Sequence, residues 1–182
     1  MATESKKVAS WLTRNKEYAE SYTAAPNWAD FGKMVSDEGA TMIVCCFDPR
    51  QNPTAFFGLK PGDAAILANA GGRINDNTLR SIECLDQLTA AKGGVTTIVV
   101  AHHTDCGMTH ITDEEIKTKL KERAPEKARD IEGMEFGEIT DLKKAVSEDM
   151  KILKASPYLS KSVKVLGFLF DIFDGTLEEI KL

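Results

Sequence analysis

Three side chains with metal-binding chemistry occur in two short segments of this sequence. Cys46 lies in residues 46–50 (CFDPR), and His103 and Cys106 lie in residues 103–107 (HTDCG). Two thiolates and one imidazole make a three-ligand zinc set, which leaves a fourth position for water, as in catalytic zinc sites. These soft ligands favour zinc over magnesium or calcium. The sequence therefore predicts a catalytic site that binds one Zn²⁺ per chain.

An acid and a base follow the first cysteine in the same segment. Zinc makes hydroxide available near neutral pH by polarising a bound water. Asp48 is placed to accept a hydrogen bond from that water, and Arg50 is placed to keep Asp48 ionised through a charge-assisted contact. The pattern predicts an enzyme with Asp48 and Arg50 as its catalytic pair.

The remaining cysteines and histidines have simpler interpretations. Adjacent strand residues point to opposite faces, so we assign Cys45 to the core rather than to the metal. Cys84 falls within a helical stretch and is expected to be buried. His102 should pack in the sheet, facing away from His103, and His110 should lie in a solvated turn. Asp105 is interpreted as a cap of the turn before Cys106.

Composition and charge limit the classes of protein. With 182 residues, 42% hydrophobic and 28% charged, the chain suits one ordered domain. Its net charge of −5 argues against a nucleic-acid partner. The apolar run 96–101 is too short to cross a bilayer, and the N-terminus lacks the apolar stretch of a secretory signal. We expect a cytoplasmic protein, or one in an organellar matrix if a transit segment has been removed.

Strand and helix patterns alternate along the chain. Strands are predicted over 41–46, 64–68, 95–101 and 162–170, and helices over 5–22, from 52, from 75 or 76 to 91, from 112, and over 141–154. Such alternation predicts an α/β fold with a mostly parallel sheet and helices on both faces. Asp174-Gly175 predicts a closing hairpin. The expected organisation is one domain over residues 1–182, with residues 1–25 as an N-terminal helical arm.

The two metal-binding segments follow two of these strands. Ligands of open α/β sheets collect beyond the carboxyl ends of the strands, so residues 46–50 and 103–107 should meet there. The glycine-containing segment 69–73 is open to two interpretations. It is either a plain turn or a place where the backbone approaches a small substrate. It lacks the Gly-x-Gly-x-x-Gly pattern of nucleotide binding.

At these residues the chain resembles the β class of carbonic anhydrases. The resemblance rests on three motifs between residues 41 and 109: Cys46-x-Asp48-x-Arg50, Asn69-Ala70-Gly71-Gly72 and His103-x-x-Cys106-Gly107. It implies zinc held by the two cysteines and the histidine, an Asp48–Arg50 dyad, and a parallel sheet with an antiparallel edge strand. It also implies a homodimer, often paired into a homotetramer, in which the N-terminal helix lies over the partner.

The expected reaction is reversible hydration of carbon dioxide, but the substrate has alternatives. His102 and Met108 replace glycines common in the class, a pattern similar to a branch that also contains carbonyl sulfide hydrolases. Hydrolysis of carbonyl sulfide, or of carbon disulfide, is therefore the closest rival, and a zinc-stabilised binding or redox-sensing protein is a distant one. The candidate substrate-pocket residues are Phe47, Asn69, Gly71, Gly72 and Met108.

Overall fold

Five β-strands form one sheet in the computed structural model, which describes residues 5–35 and 37–182. They are β1 (Ala40–Cys46), β2 (Ala65–Asn69), β3 (Val95–His103), β4 (Lys164–Phe170) and β5 (Leu177–Ile180). The order across the sheet is β2-β1-β3-β4-β5, with β5 antiparallel to β4 and all other pairs parallel. This confirms the predicted α/β fold with an antiparallel edge strand.

Strands β1 and β3 lie in the interior of the sheet, and most of their residues are buried. Their ladder ends at the pair Cys45 and Ala101, one residue before the end of β1. On the outer sides, Cys46 pairs with Asn69 of β2, and His103 pairs with Phe170 of β4. The carboxyl ends of the four parallel strands therefore meet at one edge of the sheet.

Six α-helices connect and flank the strands in the described part of the chain. They are α1 (Lys6–Glu20), α2 (Pro53–Phe56), α3 (Asp76–Leu88), α4 (Asp113–Arg123), α5 (Ala128–Glu132) and α6 (Leu142–Ala155). The predicted starts of α3 and α4 are confirmed. Asn75 Oδ1 accepts a hydrogen bond from the Thr78 amide, and Thr112 and Glu115 form a complete capping box.

Helices lie on both faces of the sheet. One face, with Val44 of β1 and Val100 of β3, packs against α3 and α6 in a single apolar cluster. On the other face, the rings of Phe168 and Phe170 contact the rings of Phe57 and Phe56, respectively. Phe56 is the last residue of α2, and Phe57 follows it. Residue alternation along β3 therefore places His102 towards α6 and His103 on the opposite face.

The prediction that Cys84 is buried is wrong. Cys84 is exposed on α3, since it lies two residues after the buried Ile82 and therefore on the far side of that helix. Leu88, the last residue of α3, is also exposed. The predicted turn at Asp174-Gly175 is confirmed, and Gly175 there has a φ of +76°.

The chain divides into two compact units, Met1–Phe31 and Gly32–Leu182. In the first unit, α1 buries none of its side chains, and Val8, Trp11 and Leu12 are among its exposed apolar residues. The second unit contains the whole sheet. Among the described helices, none combines the length and apolar character that crossing a bilayer requires.

Candidate metal centre

The three predicted metal ligands come together at the carboxyl edge of the sheet. Cys46 is the last residue of β1, His103 is the last residue of β3, and Cys106 follows a short turn. Their ligand atoms all lie within 4.8 Å of one another, and all three residues are buried. The His-x-x-Cys spacing allows a single turn after β3 to supply two of the three ligands.

The geometry of these atoms fits a tetrahedral zinc ion. Two sulfur ligands, each about 2.3 Å from zinc in tetrahedral geometry, lie about 3.8 Å apart. The Sγ atoms of Cys46 and Cys106 are 3.9 Å apart. His103 Nδ1 lies 2.9 Å from the Thr104 carbonyl oxygen and can donate to it, while the buried Nε2 has no hydrogen-bond partner. That tautomer leaves the Nε2 lone pair free to bind a metal.

Backbone amides further stabilise negative charge on the two sulfurs. The Asp48 amide donates to the Cys46 sulfur at 3.4 Å. The Gly71 amide lowers the pKa of Cys46, and the Met108 amide lowers that of Cys106. The Cys106 thiol also donates to Cys46, and this bond holds the pKa of Cys46 well below the usual thiol range. The same bond raises the pKa of Cys106, so without a cation the two sulfurs share one proton. A divalent cation would replace that proton.

Asp48 and Arg50 form the predicted ion pair directly beside the metal ligands. Arg50 Nη2 lies 2.8 Å from Asp48 Oδ2, Nε lies 3.0 Å from Oδ1, and the Arg50 amide also donates to Oδ1 at 2.9 Å. The side-chain hydrogen bonds from Arg50 lower the pKa of Asp48 to about 2. Asp48 Oδ2 is 3.9 Å from His103 Nε2, so the ionised carboxylate faces the space where a metal would lie.

Gln51 is a buried residue of this site that sequence reasoning missed. Its Oε1 accepts a hydrogen bond from the Cys46 amide at 2.9 Å, and its Nε2 donates to the carbonyl oxygens of Ala101 and His102 at 3.0 and 3.3 Å. The β1–β3 ladder has just ended at this point. The Gln51 amide therefore bridges the two strands that carry the ligands. The only feature of the sequence that pointed to Gln51 was its position directly after Arg50.

The glycine-containing segment packs tightly against the first ligand. Gly71 and Gly72 are buried with φ of +70° and +71°. A Cβ at Gly72 would lie 2.9 Å from the Cys45 carbonyl carbon and 3.0 Å from the Cys46 amide nitrogen. This close approach accounts for the glycine and puts the Gly71 amide within reach of the Cys46 sulfur.

The other candidate pocket residues occupy different environments. Asn69 Nδ2 donates to the Arg73 carbonyl oxygen at 2.8 Å and to Thr78 Oγ1 at 3.0 Å, which closes the 69–73 segment. Met108 packs with Ile139 against the two cysteine ligands and forms an apolar wall. Phe47 is largely exposed. Met108 is thus the candidate in contact with the ligand cluster, while Asn69 closes the turn.

The residues excluded from the site lie where the sequence predicted. Cys45 is buried, and burial raises its pKa to about 11. His102 is buried on the α6 side of β3, away from His103. His110 lies in an exposed turn, where its Nε2 is 2.9 Å from Asp105 Oδ1. Asp105 differs from its interpretation as a turn cap, because its carboxylate pairs with Arg50 and with His110.

The chain is similar in sequence and structure to known carbonic anhydrases. The family described as "Carbonic anhydrase" matches residues 41–177. Beta-carbonic anhydrase 1 of Mycobacterium tuberculosis is 30% identical over 145 residues, which are 76% of this chain and 80% of that protein. The crystal structure of carbonic anhydrase from Streptococcus mutans matches with a TM-score of 0.81 and 30% identity over 100% of each chain. Carbon disulfide hydrolase of Acidianus sp. is 27% identical over 150 residues, covering 71% of this chain and 72% of that protein.

Proposed function

Because the chain belongs to the carbonic anhydrase family, we propose that it is a zinc enzyme that interconverts carbon dioxide and bicarbonate. One observation carries the proposal: the ligand atoms of Cys46, His103 and Cys106 lie within 4.8 Å of one another, with the Asp48 carboxylate beside them. Three protein ligands leave a coordination position for chemistry. We assign Cys46, His103 and Cys106 to the metal, and Asp48 and Arg50 to the reaction.

Zinc, when bound, makes a water molecule acidic enough to provide a nucleophile near neutral pH. Asp48 is the residue that would orient this nucleophile. Its carboxylate stays ionised because Arg50 donates to both of its oxygens. It can therefore accept the nucleophile's hydrogen bond and orient a lone pair towards carbon dioxide. The apolar wall of Met108 and Ile139 suits an uncharged substrate that does not need strong hydrogen bonds.

Hydrolysis of carbonyl sulfide or carbon disulfide is the second candidate function. The similarity to the Acidianus carbon disulfide hydrolase favours it. Attack on the substrate carbon requires the same ligands and the same dyad, so these residues do not separate the two reactions. The width and polarity of the pocket beside Met108 would distinguish the two substrates, because a sulfur atom is larger and softer than an oxygen atom. The enzymes among the relatives favour catalysis over a zinc-stabilised binding or redox-sensing role.

We further propose that residues 1–182 act as one zinc domain and that the arm over residues 1–25 packs on a second copy of the chain. The exposed Val8, Trp11 and Leu12 of α1 support a partner for this helix. Sedimentation measurements should find a dimer or tetramer that Trp11→Asp weakens. Lys16→Asp, at an exposed polar position of the same helix, should not weaken it.

Parallel assays of one zinc-loaded preparation test the proposed reaction. Stopped-flow measurement of proton release on mixing with carbon dioxide should show rapid turnover. Hydrogen sulfide release from carbonyl sulfide and carbon disulfide should be slower by comparison. Faster hydrogen sulfide release would assign the second function, and inactivity of the metal-loaded protein towards all three substrates would exclude both functions.

A further inference from the structure

Arg50 is shared between two carboxylates, only one of which belongs to the dyad. Its Nε and Nη2 donate to Asp48 at 3.0 and 2.8 Å. Its Nη1 donates to Asp105 Oδ2 at 2.8 Å, and its Nη2 also donates to the Asp105 main-chain carbonyl oxygen at 2.9 Å. Asp105 therefore holds Nη1, which Asp48 does not contact, and shares Nη2 with Asp48. A planar guanidinium matches such a two-sided arrangement, whereas an ammonium does not.

The backbone of Asp105 adopts an uncommon conformation that makes this double contact. Among the described residues other than glycine, only Asp105 has a positive φ, of +52°. Aspartate and asparagine are enriched in this left-handed region, and such outliers often mark functional sites. Here the conformation directs both the carbonyl oxygen and the carboxylate of Asp105 to one guanidinium. A turn cap would need neither contact with Arg50.

The second carboxylate matters because Arg50 is half-exposed. Its side chain is 47% exposed, and a single exposed ion pair is weak and mobile. Contacts on both sides restrict the guanidinium to one plane and therefore restrict Asp48. The other oxygen of Asp105 is 2.9 Å from His110 Nε2, which fixes the orientation of that carboxylate. The side chains of Asp48, Arg50, Asp105 and His110 thus form a continuous polar network from the metal centre to the surface.

We propose that Asp105 is a positioning residue that acts on the reaction through Arg50. By holding the guanidinium, it keeps the Asp48 carboxylate beside the metal ligands and paired with Arg50. It also links the loop of the first ligand to the loop of Cys106, fifty-five residues further along the chain. The kinetic part of this inference rests on the proposed function, but the restraint on Arg50 does not.

Two substitutions test the restraint without changing the left-handed backbone. Asp105→Asn removes the charge, and Asp105→Gly removes the side chain, while both residues tolerate a positive φ. In ¹⁵N NMR spectra, the Arg50 guanidinium of the zinc-loaded protein should rotate slowly, and both variants should accelerate its rotation and the water exchange of Nε–H. Asp130→Asn removes an exposed carboxylate paired with Lys127 and should change neither rate.

Kinetics then show whether the restraint serves the reaction. We expect kcat/KM for carbon dioxide to fall by about tenfold in Asp105→Asn, the scale of one charge-assisted hydrogen bond, with one zinc per chain retained. In an Asp48→Asn background, the same substitution should cost almost nothing further, because its effect passes through Asp48. A merely structural role would lower activity by the same factor in both backgrounds.

The outcomes separate this inference from the proposed function. Unchanged Arg50 dynamics in both Asp105 variants, or losses that add to that of Asp48→Asn, would overturn the positioning role. Inactivity of the wild-type protein towards carbon dioxide, carbonyl sulfide and carbon disulfide would refute the proposed function. In that case, faster rotation of Arg50 in the variants would still establish that Asp105 restrains it.

Discussion

The Oδ2 atom of Asp149 on α6 lies 3.0 Å from Nε2 of His102 on β3, and both side chains are almost completely buried. Arg73 Nε lies 3.0 Å from the same Asp149 oxygen, and the Ile74 amide donates to its Oδ1 at 3.1 Å. Asp149 thus joins α6 to the end of the glycine-containing segment and to the strand that carries His103. This polar cluster lies on the α6 side of the sheet.

Removal of the Asp149 carboxylate should strongly destabilise the fold. In Asp149→Ala, Arg73, His102 and the Ile74 amide lose a buried partner, so the free energy of unfolding should fall by about 3–5 kcal/mol. Glu148→Ala is the matched control on the same helix. Its carboxylate is nearly half-exposed and 3.8 Å from Arg73, so it should cost at most about 1 kcal/mol. Urea unfolding of both zinc-loaded variants measures the difference, and equal losses would contradict the role of Asp149.

A methyl group at Gly72 should disturb both the fold and the metal centre. Gly72→Ala should cost about 1–2 kcal/mol for the left-handed backbone and about 1–3 kcal/mol for the collision with Cys45 and Cys46. Gly58 has a similar φ, of +62°, and nothing within 4 Å of its added Cβ. Gly58→Ala should therefore show only the backbone cost and unchanged zinc affinity. Similar unfolding energies and zinc affinities for the two variants would show that the close approach does not matter.

Conversion of Asp48 to an amide should separate metal binding from turnover. Asp48→Asn keeps the size of the side chain and removes the charge that accepts a hydrogen bond from the nucleophile. We expect full zinc content and a fall in kcat of about 10²–10⁴-fold, the usual contribution of a positioned base. Elemental analysis and stopped-flow kinetics on one preparation measure both quantities. Asp37→Asn, which removes an exposed partner of Lys92, is the control and should retain activity. Wild-type turnover in Asp48→Asn would exclude the assigned role.

The reactivity of the four cysteines should depend on the metal in a defined order. With zinc bound, only the exposed Cys84 should react rapidly with iodoacetamide. After chelation, Cys46 should react more slowly than Cys84 because it is buried, but faster than Cys45, because the thiol of Cys106 lowers the pKa of Cys46 and thiolates are the reactive form. Cys45 should remain unmodified at pH 8 in both states, since burial raises its pKa to about 11. Peptide mass spectrometry identifies the modified sites, and early labelling of Cys45 in the folded protein would contradict this order.

Features that depend on local sequence were predictable, and those that depend on distant pairing were not. The strands that end at Cys46 and His103 are rich in β-branched and apolar residues, and parallel topology places their carboxyl ends at one edge of the sheet. The capping box at Thr112 is likewise a local pattern. Cys84 was misassigned because an amphipathic helix also has an exposed side. The sequence of α3 did not show which of its residues face the sheet.

The polar network around the ligands lay beyond sequence reasoning. Asp149 reaches His102 and Arg73 across separations of 47 and 76 residues, and no local spacing indicates such a pairing. Asp105 was interpreted from its position before Cys106 as a turn cap, whereas its carboxylate pairs with Arg50, fifty-five residues away. Gln51 contacts a strand fifty residues away. These residues are buried or paired because of tertiary packing, so only coordinates reveal them.

X-ray absorption at the zinc K-edge of freshly purified protein tests the central claim most directly. We predict one zinc per chain, with two sulfur scatterers at about 2.3 Å and two nitrogen or oxygen scatterers at about 2.0–2.1 Å. Replacement of Cys106 by serine should remove one of the two sulfurs from the spectrum. A sample without stoichiometric zinc, or a zinc shell with four sulfurs or none, would contradict a centre built from Cys46, His103 and Cys106.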